Sequence, residues 1–228
     1  MSEHCFTDRE AAGRRLGVMV ARHLGNYRVD GRPLVLALPR GGVPVAAKVA
    51  GVIDGDLDVV IARKIGAPGR PELGVGAVAE DGEPVFDPFL PADLGISPED
   101  LAGAVTRERA ELARRIRAYR GDRPAPEVTG RLVVLVDDGV ATGVTARAAL
   151  RSLRARGARP LVLAAPVCSR EADRFLGAEA DLVICLERPV RFRAVGRYYE
   201  DFAQLSDEDV RRALDPGRSP AALHRPVG

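Results

Sequence analysis

Five short runs of this chain are apolar through their middles and end in residues that turn. They are PLVLAL (33–38), LDVVIAR (57–63), RLVVLVDDG (131–139), PLVLAAPV (160–167) and ADLVICLE (180–187). Runs this short, without polar residues at alternate positions, read as strands buried on both faces, which is the habit of parallel sheets. Helical patterns lie between them. GVPVAAKVAGVI (42–53) follows the first run, GVTARAALRSLRARG (143–157) follows the third and is closed by Gly157, and a helix from Ser169 to Leu176 follows the fourth. Strand–helix–strand spacing predicts an α/β, doubly wound, about five-stranded parallel sheet with one hairpin. Ligands of such sheets sit outside the carboxyl ends of the strands. The loops after Leu38, Arg63, Val136 and Val167 are therefore the ones to read for chemistry.

The remaining segments are legible locally. TDREAAGRRLGVMVARHLG (7–25) predicts an amphipathic helix opened by a Thr7–Glu10 capping box. KIGAPGRPELGVG (64–76) holds four glycines and two prolines and reads as an irregular, mobile loop. Asp-Gly inside VGAVAEDGEPVFD (75–87) signals a hairpin. SPEDLAGAVTRERAELARRIRAYR (97–120) starts with Ser97, Pro98 and early acids, and reads as a long surface helix. SDEDVRRALD (206–215) is a capped C-terminal helix, and the last dozen residues read as frayed.

Composition excludes several classes. The 228 residues are 46% hydrophobic and 29% charged, which suits one globular domain. No apolar run reaches the roughly 18 residues of a membrane span, and the N-terminus has no apolar leader core. A net charge of +2 gives no global reason to expect nucleic acid. Cys5, Cys168 and Cys185 show no metal or disulfide spacing, so the expectation is structural thiols in a reducing cytoplasm. Of the 34 basic residues only Lys48 and Lys64 are lysines, which draws attention to Lys64 in its loop.

The third strand runs into the chemistry. VVLVDDGVATGVT (133–145) places Asp137 and Asp138 at a strand's carboxyl end. Gly139, Ala141 and Gly143 let backbone approach a ligand closely. Backbone N–H groups from Val140 to Thr145 converge at a helix start, where unpaired donors and the helix dipole favour a phosphate. Thr142 and Thr145 add hydroxyl donors. Two carboxylates beside such a cradle suit hydroxyls, or a Mg²⁺ shared with phosphates. A phosphorylated sugar with vicinal hydroxyls meets both demands. The chain has neither the Gly-Lys-Ser/Thr ending of a Walker A loop nor a GxGxxG after its first strand.

These 13 positions resemble the phosphoribosyl-pyrophosphate (PRPP) signature of type I phosphoribosyltransferases, and the chain looks most like their uncharacterised "predicted phosphoribosyltransferase" group. The resemblance covers roughly residues 33–205. It implies one domain over 1–228. The core would be about 33–187, with a hood mainly from 188–205 and the N-terminal helix, followed by the C-terminal helix at 206–215. It implies transfer of 5-phosphoribosyl from PRPP to a nitrogenous base or related acceptor, with Mg²⁺ and release of pyrophosphate, in cytoplasmic nucleotide salvage. Asp137 and Asp138 would meet the ribose hydroxyls and Mg²⁺, directly or through water. Arg40, Gly41 and Gly42 of LPRGG (38–42) would bind pyrophosphate, with a cis peptide between Pro39 and Arg40. Read alone, LPRGG is an ordinary strand-to-helix turn.

ARKIGAPGRPELG (62–74) looks like the family's flexible catalytic loop. Arg63 and Lys64 would meet the charge that grows on the leaving pyrophosphate. Arg70 is equally readable as a solvated surface charge. In VRFRAVGRYYEDFAQLSD (190–207), a resemblance to the purine-using branch would stack Phe192 on a base and let backbone near Val195 read its edge. Packing onto the core is the other reading of Phe192, Tyr198, Tyr199 and Phe202. Ala141 stands where the purine branch carries an acid, which weakens a hypoxanthine or guanine assignment. Many relatives dimerise. A PRPP-binding regulator is the alternative to an enzyme, but only about 30 residues precede the first strand, too few for a DNA-binding domain. A PRPP synthetase needs two copies of this fold, more than this chain supplies.

Overall fold

The run at 33–38 becomes β1 (Leu34–Ala37), wholly buried, and it leads through a tight loop into α2 (Gly42–Ile53). A computed structural model of the chain describes residues 5–25, 27, 31–87 and 90–215, so the expected frayed tail lies outside the described residues. In chain order the other elements are α1 (Arg9–Leu24), β2 (Asp56–Val59), β3 (Ala62–Ala67), β4 (Arg70–Ala79), β5 (Val85–Phe86), α3 (Leu90–Asp93), α4 (Pro98–Arg120), β6 (Val133–Val136), α5 (Val144–Ala155), β7 (Leu161–Val167), α6 (Arg170–Leu176), β8 (Leu182–Glu187), a 3₁₀ turn (Val195–Tyr198) and α7 (Asp207–Leu214).

The five expected strands pair in the order β2-β1-β6-β7-β8, and every pair is parallel. Residues alternate between the two faces, as the strand period requires. Val35, Ala37, Val134, Val136, Val162 and Ala164 join the cluster that contains α1 and α2. Leu34, Leu36, Val133, Leu135, Leu161 and Leu163 join the one that contains α5 and α6. The chain leaves β1 toward β2 on one side and later builds β6, β7 and β8 on the other. The gap between β1 and β6 is thus the topological switch point, where such sheets bind ligands. Ala37 pairs with Val136, so the loops after these two strands begin level with each other.

Four expectations are corrected. LDVVIAR is not one strand. β1 ends at Ala37, so β2 has nothing left to pair with beyond Val59. The chain peels away at Val60 and starts a second, antiparallel sheet in the order β3-β4-β5. The segment 64–76 is not an irregular loop but most of the β3–β4 hairpin. Its glycines serve a register shift around Gly66 and a turn at Gly69, which has φ 69°. The Asp-Gly hairpin stands as β4–β5.

The cap of α1 is Asp8 rather than Thr7. The Asp8 carboxylate accepts from Ala11 N at 2.7 Å, while the Thr7 carbonyl accepts from Asp201 N. Finally, Cys168 and Cys185 form a disulfide rather than remaining thiols. They stand at neighbouring parallel strands with Cα atoms 6.2 Å apart, within disulfide reach. Seventeen residues and a helix separate them in sequence, which hides the pairing. Among the described residues no helix is long and apolar enough to cross a membrane.

Candidate active site

Among the described residues six α-helices have an N-cap, and four of them are capped by their own side chains: Asp8 at α1, Ser97 at α4, Ser169 at α6 and Ser206 at α7. The two without a side-chain cap are α2, after Gly41, and α5, after Gly143. Both start at the switch point. A helix start leaves its first N–H groups unpaired, and side chains or a ligand must satisfy them. The α5 start presents converging donors and a positive dipole end, suited to phosphate groups, whereas at α2 the Gly42 and Val43 N–H groups already donate to the Leu38 and Arg40 carbonyls, so that start offers its dipole end and the backbone of Arg40 and Gly41.

The loop before α5 turns tightly against α6, where a Cβ on Gly143 would come within 3.0 Å of Leu176 Cδ1, so this glycine serves packing and not the expected close approach of a ligand. Gly143 has φ 77°, a conformation that a Cβ would strain. Thr142 is exposed and Thr145 half-buried. The Ala141 carbonyl accepts from Ser169 Oγ at 2.6 Å. Val140 departs from expectation. Its N–H donates to Val167 O at 2.8 Å and its carbonyl accepts from Ser169 N, which leaves no free donor there. The usable cradle therefore starts at Ala141.

Asp137 and Asp138 sit at the mouth of this cradle. Burial, then the neighbouring Asp138 carboxylate, pushes Asp137 well above the usual carboxylate range, against the opposing charges of Lys64 and Arg9. Burial likewise raises Asp138, and Arg9 opposes it. Arg9 Nε donates to Asp138 Oδ2 at 2.8 Å. Asp138 N donates to Asp137 Oδ1 at 2.9 Å, and Tyr199 Oη donates to the Asp138 carbonyl at 2.5 Å. Gly41 stands against the same carboxylate: a Cβ there would lie 2.0 Å from Asp138 Oδ2. Gly42 opens α2 against the Val136 carbonyl. The Pro39–Arg40 peptide is cis, and the half-exposed Arg40 guanidinium lies 3.7 Å from Asp207. Among the described residues no three His, Cys, Asp or Glu side chains form a metal cluster.

A cleft of about 620 Å³ gathers Pro39, Arg63, Lys64 and Thr145 with Arg107 and Arg115. Lys64 is in mid-β3, exposed and opposite Ala77. Arg63 is held by Glu108 at 2.8 Å. Arg70 is exposed at the start of β4.

Phe192 stacks on Tyr198, with ring centroids 5.7 Å apart. It also lines a second groove, of about 580 Å³, with Phe175, Arg170 and Arg174. Val195 packs on Gly139, where a Cβ would come within 2.5 Å of its Cγ1. The structure thus brings the 137–145 loop, the 39–42 loop, Lys64 and Thr145 around one crevice. Phe192 and its groove lie to the side, bordering Ser169. The sequence does not single out Arg9, and it marks Tyr199 only as an aromatic that packs on the core, which it does while its hydroxyl reaches the Asp138 carbonyl. No local signal marks Arg9, which stands 129 residues from its carboxylate in a helix rich in other arginines.

A doubly wound α/β domain with a crevice at the switch point is the class this architecture defines. Residues 9–193 match the family described as phosphoribosyl transferase domain, and the chain belongs to that family. It is 41% identical over 210 residues to two proteins of Mycobacterium tuberculosis, named "Putative phosphoribosyl transferase MT0597" (strain CDC 1551 / Oshkosh) and "Putative phosphoribosyl transferase Rv0571c" (strain ATCC 25618 / H37Rv). The match takes in 92% of this chain but 46% of each relative, so the chain spans about half the length of these curated relatives. Among solved structures it is similar to that of TT1426 from Thermus thermophilus, at 45% identity and a TM-score of 0.76, covering 92% of this chain and 97% of that one.

Proposed function

We propose that this chain transfers the 5-phosphoribosyl group of PRPP to a nitrogen of a small acceptor and releases pyrophosphate. The observation that carries this reading is the pair of helix starts without side-chain caps, α2 and α5, flanking two half-buried carboxylates at one crevice. PRPP carries phosphates at both ends of a ribose with vicinal hydroxyls, and so has a partner for each feature. N–H groups from Ala141 to Thr145 hold the 5-phosphate. Asp137 and Asp138 accept from the ribose hydroxyls. Arg40 and Gly41 hold the pyrophosphate, while Gly42, whose N–H already donates to the Leu38 carbonyl, lets α2 start close against Val136.

The C1–O bond to pyrophosphate breaks as the acceptor nitrogen bonds to C1. Positive charge builds on the ribose ring and negative charge on the leaving oxygen. Lys64 meets the leaving group, and Arg63 joins it once released from Glu108. The two aspartates offer the hard oxygens that Mg²⁺ prefers. With no third acid beside them among the described residues, the ion would draw its other ligands from PRPP and water, as Mg²⁺ commonly does. When bound, Mg²⁺ supplies positive charge against the departing pyrophosphate.

Phe192 and its groove, with Val195 at the loop, are the acceptor side of this reading.

The direct test is calorimetric titration with Mg²⁺ and PRPP, then a pyrophosphate-release assay over purines, pyrimidines and other nitrogen acceptors. Saturable binding with acceptor-dependent release is expected. Binding without release from any acceptor would make the protein a PRPP sensor, and no binding would refute the assignment. Lys64→Ala should lower kcat about a hundredfold while PRPP affinity changes only a few-fold, because Lys64 acts most strongly on the extra negative charge that builds on the leaving oxygen in the transition state. An equal loss in both would place Lys64 in ground-state binding. Phe192→Leu should raise the acceptor KM and leave PRPP affinity intact. A fall in melting temperature with unchanged acceptor KM would leave Phe192 as packing on Tyr198 alone.

A further inference from the structure

Arg9 occupies an unfavourable place for a cation. It is the first residue of α1, at the positive end of the helix dipole. Its side chain is only 11% exposed. Three contacts hold it there. Nε donates to Asp138 Oδ2 at 2.8 Å, and one terminal nitrogen donates to the Ala203 carbonyl at 2.9 Å. The guanidinium lies 3.8 Å from the centre of the Phe202 ring. Phe202 is in turn set by Tyr199, whose ring centroid lies 5.1 Å away, and by Gly196, where a Cβ would come within 2.9 Å of the Phe202 ring.

The partner carboxylate is equally confined. Asp138 Oδ2 faces the Gly41 backbone so closely that no side chain fits between them. Tyr199 Oη fixes the Asp138 carbonyl from the other side. The charged groups facing Asp138 are Arg9 from α1 and Asp137 beside it in the loop, with the Tyr199 hydroxyl from the C-terminal segment. Lys64, from β3, acts on Asp137. One end of the chain therefore sets the rotamer of a crevice residue in the middle of it. Arg9 also locks that residue to the segment that follows the 3₁₀ turn.

We propose that Arg9 is a positioning residue for the ribose: from its seat on the Phe202 ring it holds Asp138 Oδ2 against Gly41 and so orients the carboxylate toward the sugar hydroxyls. This rests on the ribose-binding role proposed for Asp138. Arg9 itself touches no ligand. Its guanidinium suits the task because it donates and stacks through one flat, rigid group, which a lysine cannot do.

The consequence is a selective loss. Inorganic phosphate needs only a phosphate-binding loop, at 141–145 or at 40–42, whereas ribose 5-phosphate needs the 141–145 cradle and the aligned acids. Calorimetric titration of both, without metal, separates the two roles. In the Arg9→Met protein the Kd for ribose 5-phosphate should rise about tenfold, the value of one charge-assisted hydrogen bond, while the Kd for phosphate stays within about twofold. Arg9→Lys should recover part of the loss. Phe202→Leu keeps Arg9 but removes its platform. It should give a smaller loss with the same selectivity, and so serves as the test if Arg9→Met does not fold.

Equal weakening of both ligands would mean that Arg9 only holds the loop together, and would overturn the inference. So would unchanged ribose 5-phosphate binding in Arg9→Met. If the unmodified protein bound phosphate but gained nothing from the ribose, the ribose site itself would fall, and the inference with it.

Discussion

Asp137→Asn should raise the melting temperature at neutral pH and at the same time cut PRPP affinity at least tenfold. The two effects share one cause. Burial and the adjacent Asp138 carboxylate disfavour the ionised form of Asp137 in the folded protein. The unfolded chain releases that proton near pH 3.9, and the folded chain holds it to higher pH. Between those two values folding takes up a proton. Stability therefore falls as pH rises through that window, and above it the cost is fully present. An asparagine keeps the shape and removes the charge, so the cost disappears. Each kcal/mol recovered in a chain of this length is about 2–4 °C of melting temperature.

The asparagine also loses a charged acceptor, and a hydrogen bond to such a group contributes about 1.5–3 kcal/mol. Adding Asp138→Asn should abolish binding altogether. It is the poorer probe of stability, because it strips Arg9 of its carboxylate. Differential scanning calorimetry across pH, with titration of Mg²⁺ and PRPP, checks both parts. A lower melting temperature with unaltered PRPP affinity would mean that Asp137 is a structural acid and not a ligand residue.

The sequence makes the local half of this site readable and hides the other half. A strand, two acids, small residues and a helix start are contiguous from Val133 to Thr145, so their geometry follows from chain connectivity. The five parallel strands are readable for a similar reason, since full burial on both faces leaves a compositional trace. What escapes is whatever depends on a distant partner. Arg9 and Asp138 meet only because α1 packs on α2, β7 and β8, which brings its first residue to the loop after β6. Cys168 and Cys185 pair only because β7 and β8 are neighbours.

The split of 57–63 into β2 and β3 is set by where β1 runs out, a property of the partner and not of the strand itself. Val140 shows the limit in the other direction. Its residue type fits a phosphate cradle, but β7 takes its N–H. Glycine and proline in 64–76 misled for a physical reason too. They mark bulges and turns as readily as they mark irregular loops.

The largest loss of stability should follow Arg120→Met. Arg120 ends α4 with its side chain 2% exposed, and Glu80, at the tip of β4, is 5% exposed. The two are joined by a double hydrogen bond, and a terminal nitrogen of Arg120 also donates to the Val59 carbonyl at 2.9 Å. Asp58 Oδ1 stands 3.9 Å from Arg120 Nε, which is the one buried side-chain nitrogen without a hydrogen bond among the described residues. This cluster ties α4, β2 and the second sheet together at one point.

A methionine fills most of the same space but leaves Glu80 charged and buried without its partner. Removing one member of such a pair costs about 3–5 kcal/mol. For a chain of this length that is a fall of roughly 6–20 °C in melting temperature. Replacing both members, as Arg120→Met with Glu80→Leu, should restore most of the loss, because a buried ion pair and a well-packed apolar pair are often near equal in stability. Urea denaturation of the two single variants and the double variant measures the coupling.

The functional readout follows from connectivity. β3 carries Lys64, and β3 packs on α4. An uncoupled second sheet should therefore lower turnover in Arg120→Met more than it lowers PRPP affinity, and the double variant should regain it. Additive losses from the two single substitutions would show that Arg120 and Glu80 act independently. In that case the placement of Lys64 would owe nothing to this ion pair.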